Sequence, residues 1–363
     1  MMETNICKFD KEKSTILKGV AILIMIFHHC FRDAKLFSDY AISFYPFNMD
    51  AIVKLAAGGK ICVAIFAFIS GYGLYLSYDN KESANKWVAK RYIKTFSGYW
   101  FIWILSAVVC QIIDGRFVRR FFGGTVADGI ARCIVDFLGL GKLFGNSLMN
   151  NNWWYMSVAF VFILITPLLV KYKESIFLIM IGIIVLPQAL FGVGNSPVLI
   201  VGSEVYPYIL IFVMGIACAY YDLINRFINL GKTASMKLIK AIVEMVIIII
   251  LCRAYFDLSS RVFWVIKTAL LPFIICLFIV EFVTIIPFLK KILYYLGIHS
   301  MNMYLVHNFF RAYYLTDFLY TRGHFVLTVL WLTGISLLLS IFIELMKKVL
   351  GYNRFINYIL KKV

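Results

Sequence analysis

The sequence predicts an all-α integral membrane protein, a bundle of about ten transmembrane helices with both termini cytoplasmic. Three observations carry that expectation. Of 363 residues, 62% are hydrophobic and only 15% charged, and the mean hydropathy is +0.85, well above that of a water-soluble domain. Apolar stretches of roughly 17 to 25 residues, the length that crosses a bilayer at 1.5 Å per residue, recur along the whole chain. Lysine and arginine then fall unequally on the two sides of the bilayer that these stretches define.

Taken in order, the apolar stretches lie approximately at 15–33, 56–78, 97–114, 153–170, 175–193, 205–221, 238–256, 263–283, 291–312 and 325–346. The first follows a basic segment, as a secretory signal would, but it lacks a small-residue cleavage site and is read as a retained span. The segment "KWVAKRYIKTFSGYW" (86–100) leads into the third span. Helical geometry puts its Lys90, Arg91 and Lys94 within about one turn of each other, either to hold a phosphate-bearing ligand or to anchor the span at the interface. Residues 115–152, where glycines and charges interrupt the hydrophobicity, are expected to form short interfacial helices on the outer side, against the plain reading of a poorly ordered loop. Residues 151–169 open the fourth span with Trp153, Trp154 and Tyr155, either an aromatic belt or, given their asparagine neighbours, a ligand-facing patch. The ninth span carries Ser300, Asn302, Tyr304 and His307, too many polar groups for a lipid-facing surface. They serve either a hydrogen-bond network between helices or a substrate site. With no soluble segment of any size, residues 1–363 are expected to form a single polytopic domain.

The formal net charge of +17 is read as a topology signal rather than a nucleic-acid footprint. With the N-terminus inside, about 22 Lys and Arg face the cytoplasm and about 11 face out, the bias of the positive-inside rule, and the basic surface also attracts anionic lipid. The eight cysteines are scattered, mostly within spans, and form no C-x-x-C pair, so they read as packing residues and no metal site is expected. No phosphate-cradling loop or dinucleotide glycine pattern is present, which argues against nucleotide hydrolysis within the chain.

Two adjacent histidines end the first span, in "IFHHC" (26–30). At 100° per residue, His28 and His29 point in different directions, so one cavity receives at most one of them. Asp33 stands four residues after His29, on the same helical face, where its carboxylate would fix the imidazole tautomer. That favours His29 as a general base, against the plain reading of two histidines that merely end a helix.

Together these stretches resemble the acyltransferase-3 family of multi-pass membrane O-acyltransferases. "LKGVAILIMIFHHC" resembles its opening pattern, in which a histidine follows a glycine by ten residues, here Gly19 and His29. "VAIFAFISGYGLYLS" resembles its aromatic second span ending in Ser-Gly (Ser70-Gly71). "KRYIKTFSGYW" resembles its Arg-x-x-Arg segment, with Arg91 at the first position and Lys94 in place of the second arginine. "WYMSVAFVFILITP" and "LGIHSMNMYLVH" resemble its Trp-to-Pro segment and its late span ending in histidine. Lysine lacks the bidentate fork of arginine, and Ser97-Gly98 stands where the family has a proline. Some members also carry a soluble esterase-like domain, which this chain is expected to find, if at all, in a separate partner.

The resemblance implies a multi-pass enzyme of the cell membrane. It would move an acyl group, foremost acetyl, from cytoplasmic acetyl-CoA to a hydroxyl of a cell-surface or lipid-linked glycan. Arg91 and Lys94 would dock the donor's phosphates, His29 with Asp33 would activate the hydroxyl, directly or through an acyl-histidine, and Trp154, Asn302 and His307 would line the acceptor or oxyanion side. Partners are then a hydroxyl-bearing acceptor and membrane lipid, with no nucleic acid and no metal. A multi-pass transporter or flippase of a sugar intermediate is the rival reading; it would show inverted repeats or paired broken helices, which the sequence does not display.

Overall fold

Each of the ten apolar stretches folds as helix in a computed structural model, which describes residues 9–146, 148–192, 204–231, 233–257 and 264–363. Cys7, the charges Lys8, Lys232 and Arg261, position 147 of the outer segment and the edges of two stretches at Val193 and Phe263 lie outside the described residues. In chain order the longer elements begin with α1 (Lys11–Phe31), α2 (Met49–Gly58), α3 (Ile61–Leu76), α4 (Ala84–Asp114), α5 (Arg116–Phe121), α6 (Val126–Phe137), α7 (Trp154–Lys171) and α8 (Ile176–Phe191). They continue with α9 (Tyr206–Tyr220), α10 (Leu223–Ile228), α11 (Ala234–Asp257), α12 (Leu271–Phe278), α13 (Pro287–Phe309), α14 (Thr316–Tyr320), α15 (Phe325–Val349) and α16 (Tyr352–Lys362). Wider π-helical turns flank α12 and follow α13. Among the described residues there is no strand, only an isolated bridge between Ser43 and His324.

Among the described residues, seven helices are long and apolar enough to cross a bilayer, against the ten stretches expected: Lys11–Phe31, Met49–Leu76, Ala84–Asp114, Asn151–Lys171, Lys173–Phe191, Ile266–Val283 and Phe325–Val349. The difference has a composition behind it. α9 is apolar but has only 15 residues, α11 carries Lys237, Lys240, Glu244 and Arg253, and α13 carries the polar run from His299 to His307. Of the spans, the most apolar window of Lys11–Phe31 is 61% buried by protein and that of Lys173–Phe191 only 11%. The latter therefore leaves Leu178, Ile181, Val185, Leu186 and Leu190 to meet acyl chains.

The described chain divides into two compact units. The first comprises the chain up to Leu36, Pro46–Tyr78 and Thr166–Ile298. Its helices approach through glycine. A Cβ added to Gly19 of α1 would lie 1.9 Å from the Leu293 carbonyl oxygen of α13, and one added to Gly297 of α13 would lie 1.9 Å from the Thr15 carbonyl oxygen of α1. The same reciprocity joins α3 and α9: a Cβ at Gly71 would meet Phe212 O at 2.0 Å, and one at Gly215 would meet Phe68 O at 2.3 Å. With no hydrophobic effect to pull helices together in lipid, this backbone-to-backbone approach supplies the dispersion contact that holds them.

The second unit comprises Phe37–Tyr45, Asp79–Ile165 and His299–Val363. Its organising residue is Asp136, at the end of α6 and 1% exposed. The carboxylate Oδ2 accepts the Trp103 indole N–H and the Met149 backbone N–H, both at 2.9 Å, while the Tyr99 hydroxyl donates to the Asp136 backbone oxygen at 2.6 Å. These bonds fasten the loop after α6 to the side of α4. Burial pushes the carboxyl up to about 6, against the donors Met149, Trp103 and Tyr99, which favour its charged form. Between about pH 4 and pH 6 the folded chain therefore keeps a proton that the unfolded chain has released. Stability is greatest below that window and falls as pH rises through it, by on the order of 3 kcal/mol in all. Thermal midpoints of detergent-solubilised protein, followed by tryptophan fluorescence, should fall from pH 4 to 6 relative to those of Asp136→Asn, and the difference should stay constant above pH 7.

Candidate functional site

Two of the candidate residues, His29 and Asp33, belong to the first unit. α1 is capped by Asp10, whose carboxylate accepts the Lys13 N–H at 2.9 Å, and its apolar residues from Ile16 to Ile26 are mostly buried, so the last turn is rigidly delivered. Both histidines of that turn are buried, His28 at 7% and His29 at 8% exposure, with their rings edge to face at 4.9 Å. His28 Nδ1 stands 2.7 Å from the Ala56 carbonyl oxygen of α2, and because a carbonyl only accepts, that nitrogen carries the proton and ties α1 to α2.

The pairing of His29 with Asp33 does not form as the sequence suggested. α1 ends at Phe31, with Arg32 as its C-cap, so the helical spacing that would align the two side chains stops short of position 33. Asp33 is exposed, and its carboxylate accepts the backbone N–H of Lys35 at 3.1 Å, where it opens the short helical turn Ala34–Leu36. A free aspartate oxygen next to unpaired backbone N–H groups caps a turn in preference to continuing a helix.

Five candidates belong to the second unit. Arg91 and Lys94 lie on α4, which Ser83 caps. Of the expected cationic cluster, Lys90 is taken by an ion pair to Glu82, Lys94 is exposed, and Arg91 is half-buried with a buried Nε that has no hydrogen-bond partner among the described residues. A guanidinium N–H without an acceptor is an opening for a ligand oxygen.

Of the aromatic pair, Trp153 is the structural member. It is 1% exposed, its indole N–H donates to the Leu305 carbonyl at 2.8 Å, and its ring packs against Tyr99 and Phe309. Trp154 is half-buried, with its ring edge-on to Tyr155.

Asn302 is placed by charge. Its amide donates to Glu344 Oε1 at 2.8 Å and its carbonyl accepts from Lys347 Nζ at 3.4 Å, while Lys347 and Glu344 are themselves paired at 2.7 Å. Neither partner figured as a site candidate in the sequence reading, because their three-residue separation on α15 looks like an ordinary basic end to a span. His307 is fully buried. Its Nδ1 donates to the carbonyls of Met303 (3.1 Å) and Tyr304 (2.9 Å), so Nε2 is the acceptor for the Asn152 amide at 3.3 Å. The Tyr304 hydroxyl donates to the Asn152 carbonyl at 2.6 Å, so Tyr304 and His307 both meet Asn152 in the turn before α7.

Sequence reasoning passed over Asp136, Asn150, Asn308 and Arg311, all buried and polar. The signal was present in "MNNNWW" and in "HNFFR", directly after the quoted motif. Among the described residues no three His, Cys, Asp or Glu side chains gather as a metal site would require.

A family model described as an acyltransferase domain, that of the acyltransferase-3 family, matches residues 13–345. It runs through every one of the candidate positions. No curated protein and no solved structure matches the chain. With nearly its whole length covered, the chain belongs to the acyltransferase-3 family.

Proposed function

We propose that this protein is a membrane O-acetyltransferase of the cell membrane. It takes an acetyl group from acetyl-CoA and places it on a hydroxyl of a cell-surface or lipid-linked glycan, and it works as one polytopic domain of about ten spans with both termini cytoplasmic. Family membership supports the acyl chemistry, and the single observation that carries the assignment of roles is the division of labour at the end of α1. His28 Nδ1 holds the Ala56 carbonyl, a structural bond between α1 and α2, and His29, which follows the closely packed Gly19 by ten residues as in the family's opening pattern, is the imidazole assigned to proton transfer.

The reaction balances on that group. The acceptor oxygen bonds to the thioester carbonyl carbon as His29 removes the hydroxyl proton; the C–S bond then breaks, and the departing thiolate receives a proton, leaving an ester and free CoA. Asp33, turned away on its own loop, supplies negative charge near the outer end of α1 and has no positioning bond in this reading. Arg91 and Lys94 receive the donor's phosphates, and Trp154 and Asn302 line the acceptor side, with His307 acting through Asn152.

Proteoliposomes supplied with labelled acetyl-CoA and a panel of glycans should consume the thioester and label the glycan. A transporter would move sugar with the thioester intact, and that outcome would remove the reading. Arg91→Gln should raise the KM for acetyl-CoA about 10- to 100-fold, the value of a charge-assisted hydrogen bond of roughly 1.5 to 3 kcal/mol. Lys90→Ala, which removes a cation already held by Glu82, should leave that KM within a few-fold.

A further inference from the structure

The second unit buries a positive charge without a counter-charge. Arg311 is 7% exposed, its Nε and Nη2 both donate to the neutral Asn308 Oδ1, at 3.1 and 2.7 Å, and among the described residues no carboxylate lies within ion-pair distance of it. Buried guanidinium groups are ordinarily paired, because desolvating the charge is expensive.

The amides beside it are biased in the same sense. With Asn308 Oδ1 filled by Arg311, Asn308 Nδ2 donates to Asn150 Oδ1 at 2.9 Å; that oxygen also accepts the Asn152 backbone N–H at 3.1 Å. Both amide oxygens are therefore occupied, and the network fixes which way each amide faces. The chain of bonds ends on Asn150 Nδ2, in a side chain with no exposure, where the N–H groups find no acceptor among the described residues. A cation and an unanswered donor thus close one cluster in which every oxygen is already used.

We propose that Asn150, Asn308 and Arg311 form an oxyanion-binding subsite that receives the carboxylate or phosphate of an anionic sugar acceptor. The inference rests on the acyltransferase reading for the word acceptor. In the topology proposed above, the end of the 115–152 segment and the end of α13 both face outward, the side on which a surface glycan is met. A bound oxyanion supplies what the cluster lacks, a negative charge beside Arg311 and lone pairs for Asn150 Nδ2, whereas a neutral hexose supplies no charge.

The test is equilibrium binding to the full-length protein in detergent, by calorimetry, of glucuronate, glucose 6-phosphate and glucose. At least one anionic sugar should bind ten-fold or more tightly than glucose, and which of the two does so separates carboxylate from phosphate. Arg311→Gln and Asn150→Asp should each weaken the anionic sugar about ten-fold or more, the second by turning the unanswered donor into an oxygen of the same size. Arg311→Lys should retain part of the preference. No preference for either anionic sugar by the unaltered protein overturns the proposal, as does unchanged binding by both Arg311→Gln and Asn150→Asp. Acetyl-CoA consumption by the unaltered protein is measured separately: consumption without anion preference overturns this subsite alone, and anion preference without consumption overturns the acyltransferase reading alone.

Discussion

Protein purified with His29→Ala is expected to transfer acetyl groups at least about 10²-fold more slowly than the unaltered chain, while His28→Ala keeps most of its rate. General-base assistance is worth roughly 10²- to 10⁴-fold, so a base has to show a loss on that scale. The two residues are adjacent, equally buried and chemically identical, which makes each the control for the other. His28 Nδ1 is bonded at 2.7 Å to the Ala56 carbonyl, which gives that ring a structural role. Removing that ring leaves one carbonyl without its donor, a loss of about 1 kcal/mol that appears as a lower melting temperature rather than a slower reaction. Initial rates in proteoliposomes at saturating acetyl-CoA, set beside thermal midpoints of the same samples, give both quantities. Similar losses of rate in the two variants would mean that the turn matters only as structure, and retention of rate by His29→Ala would withdraw the base.

The helical fold was open to reading from the sequence because membrane spans obey one requirement: each must satisfy its own backbone in hydrocarbon, which forces long apolar runs that a window can find. All ten stretches fold as helix, yet among the described residues only seven helices meet the length and composition of a span. The shortfall sits where polar residues interrupt α11 and α13 or where α9 is short, and burial by neighbouring protein is not visible to a hydropathy sum. The candidate site was half legible. Helical spacing tells which residues share a face but not where the helix stops, and Asp33 was misplaced because α1 ends at Phe31. Arg91 came from local charge density, a property of sequence; Asp136 depends on residues brought together from other parts of the chain, Trp103 and Met149, and Asn308, the neighbour of Arg311, meets Asn150 only in the fold. Gly19 and Gly71 had been matched only as motif letters, and the structure gives their reason, since each brings one helix against the backbone of another.

That reason predicts the other large effect: Gly71→Ala should prevent accumulation of folded protein, whereas Gly73→Ala, two residues along the same helix, should be neutral or slightly stabilising. A methyl group at Gly71 would lie 2.0 Å from the Phe212 carbonyl oxygen, 2.9 Å from its carbon and 3.3 Å from the Ile216 nitrogen. All three are backbone atoms and cannot swing aside as a flexible side chain does. α3 and α9 must move apart by more than an ångström, and the reciprocal contact of Gly215 with the Phe68 carbonyl at 2.3 Å is broken by the same movement. Overpacking against yielding neighbours costs about 1 to 3 kcal/mol, and with rigid neighbours on both sides the loss should reach or exceed the upper figure, a large part of a marginal folding free energy. At Gly73 nothing lies within 4 Å of the added carbon, so the change there only removes conformational freedom from the unfolded chain and improves helix propensity by about 0.5 to 1 kcal/mol. Fluorescence-detected gel filtration of the two variants in detergent reads the contrast directly. A monodisperse Gly71→Ala with an unchanged melting temperature would show that α3 and α9 are not in backbone contact, and the packing of the first unit would have to be drawn differently.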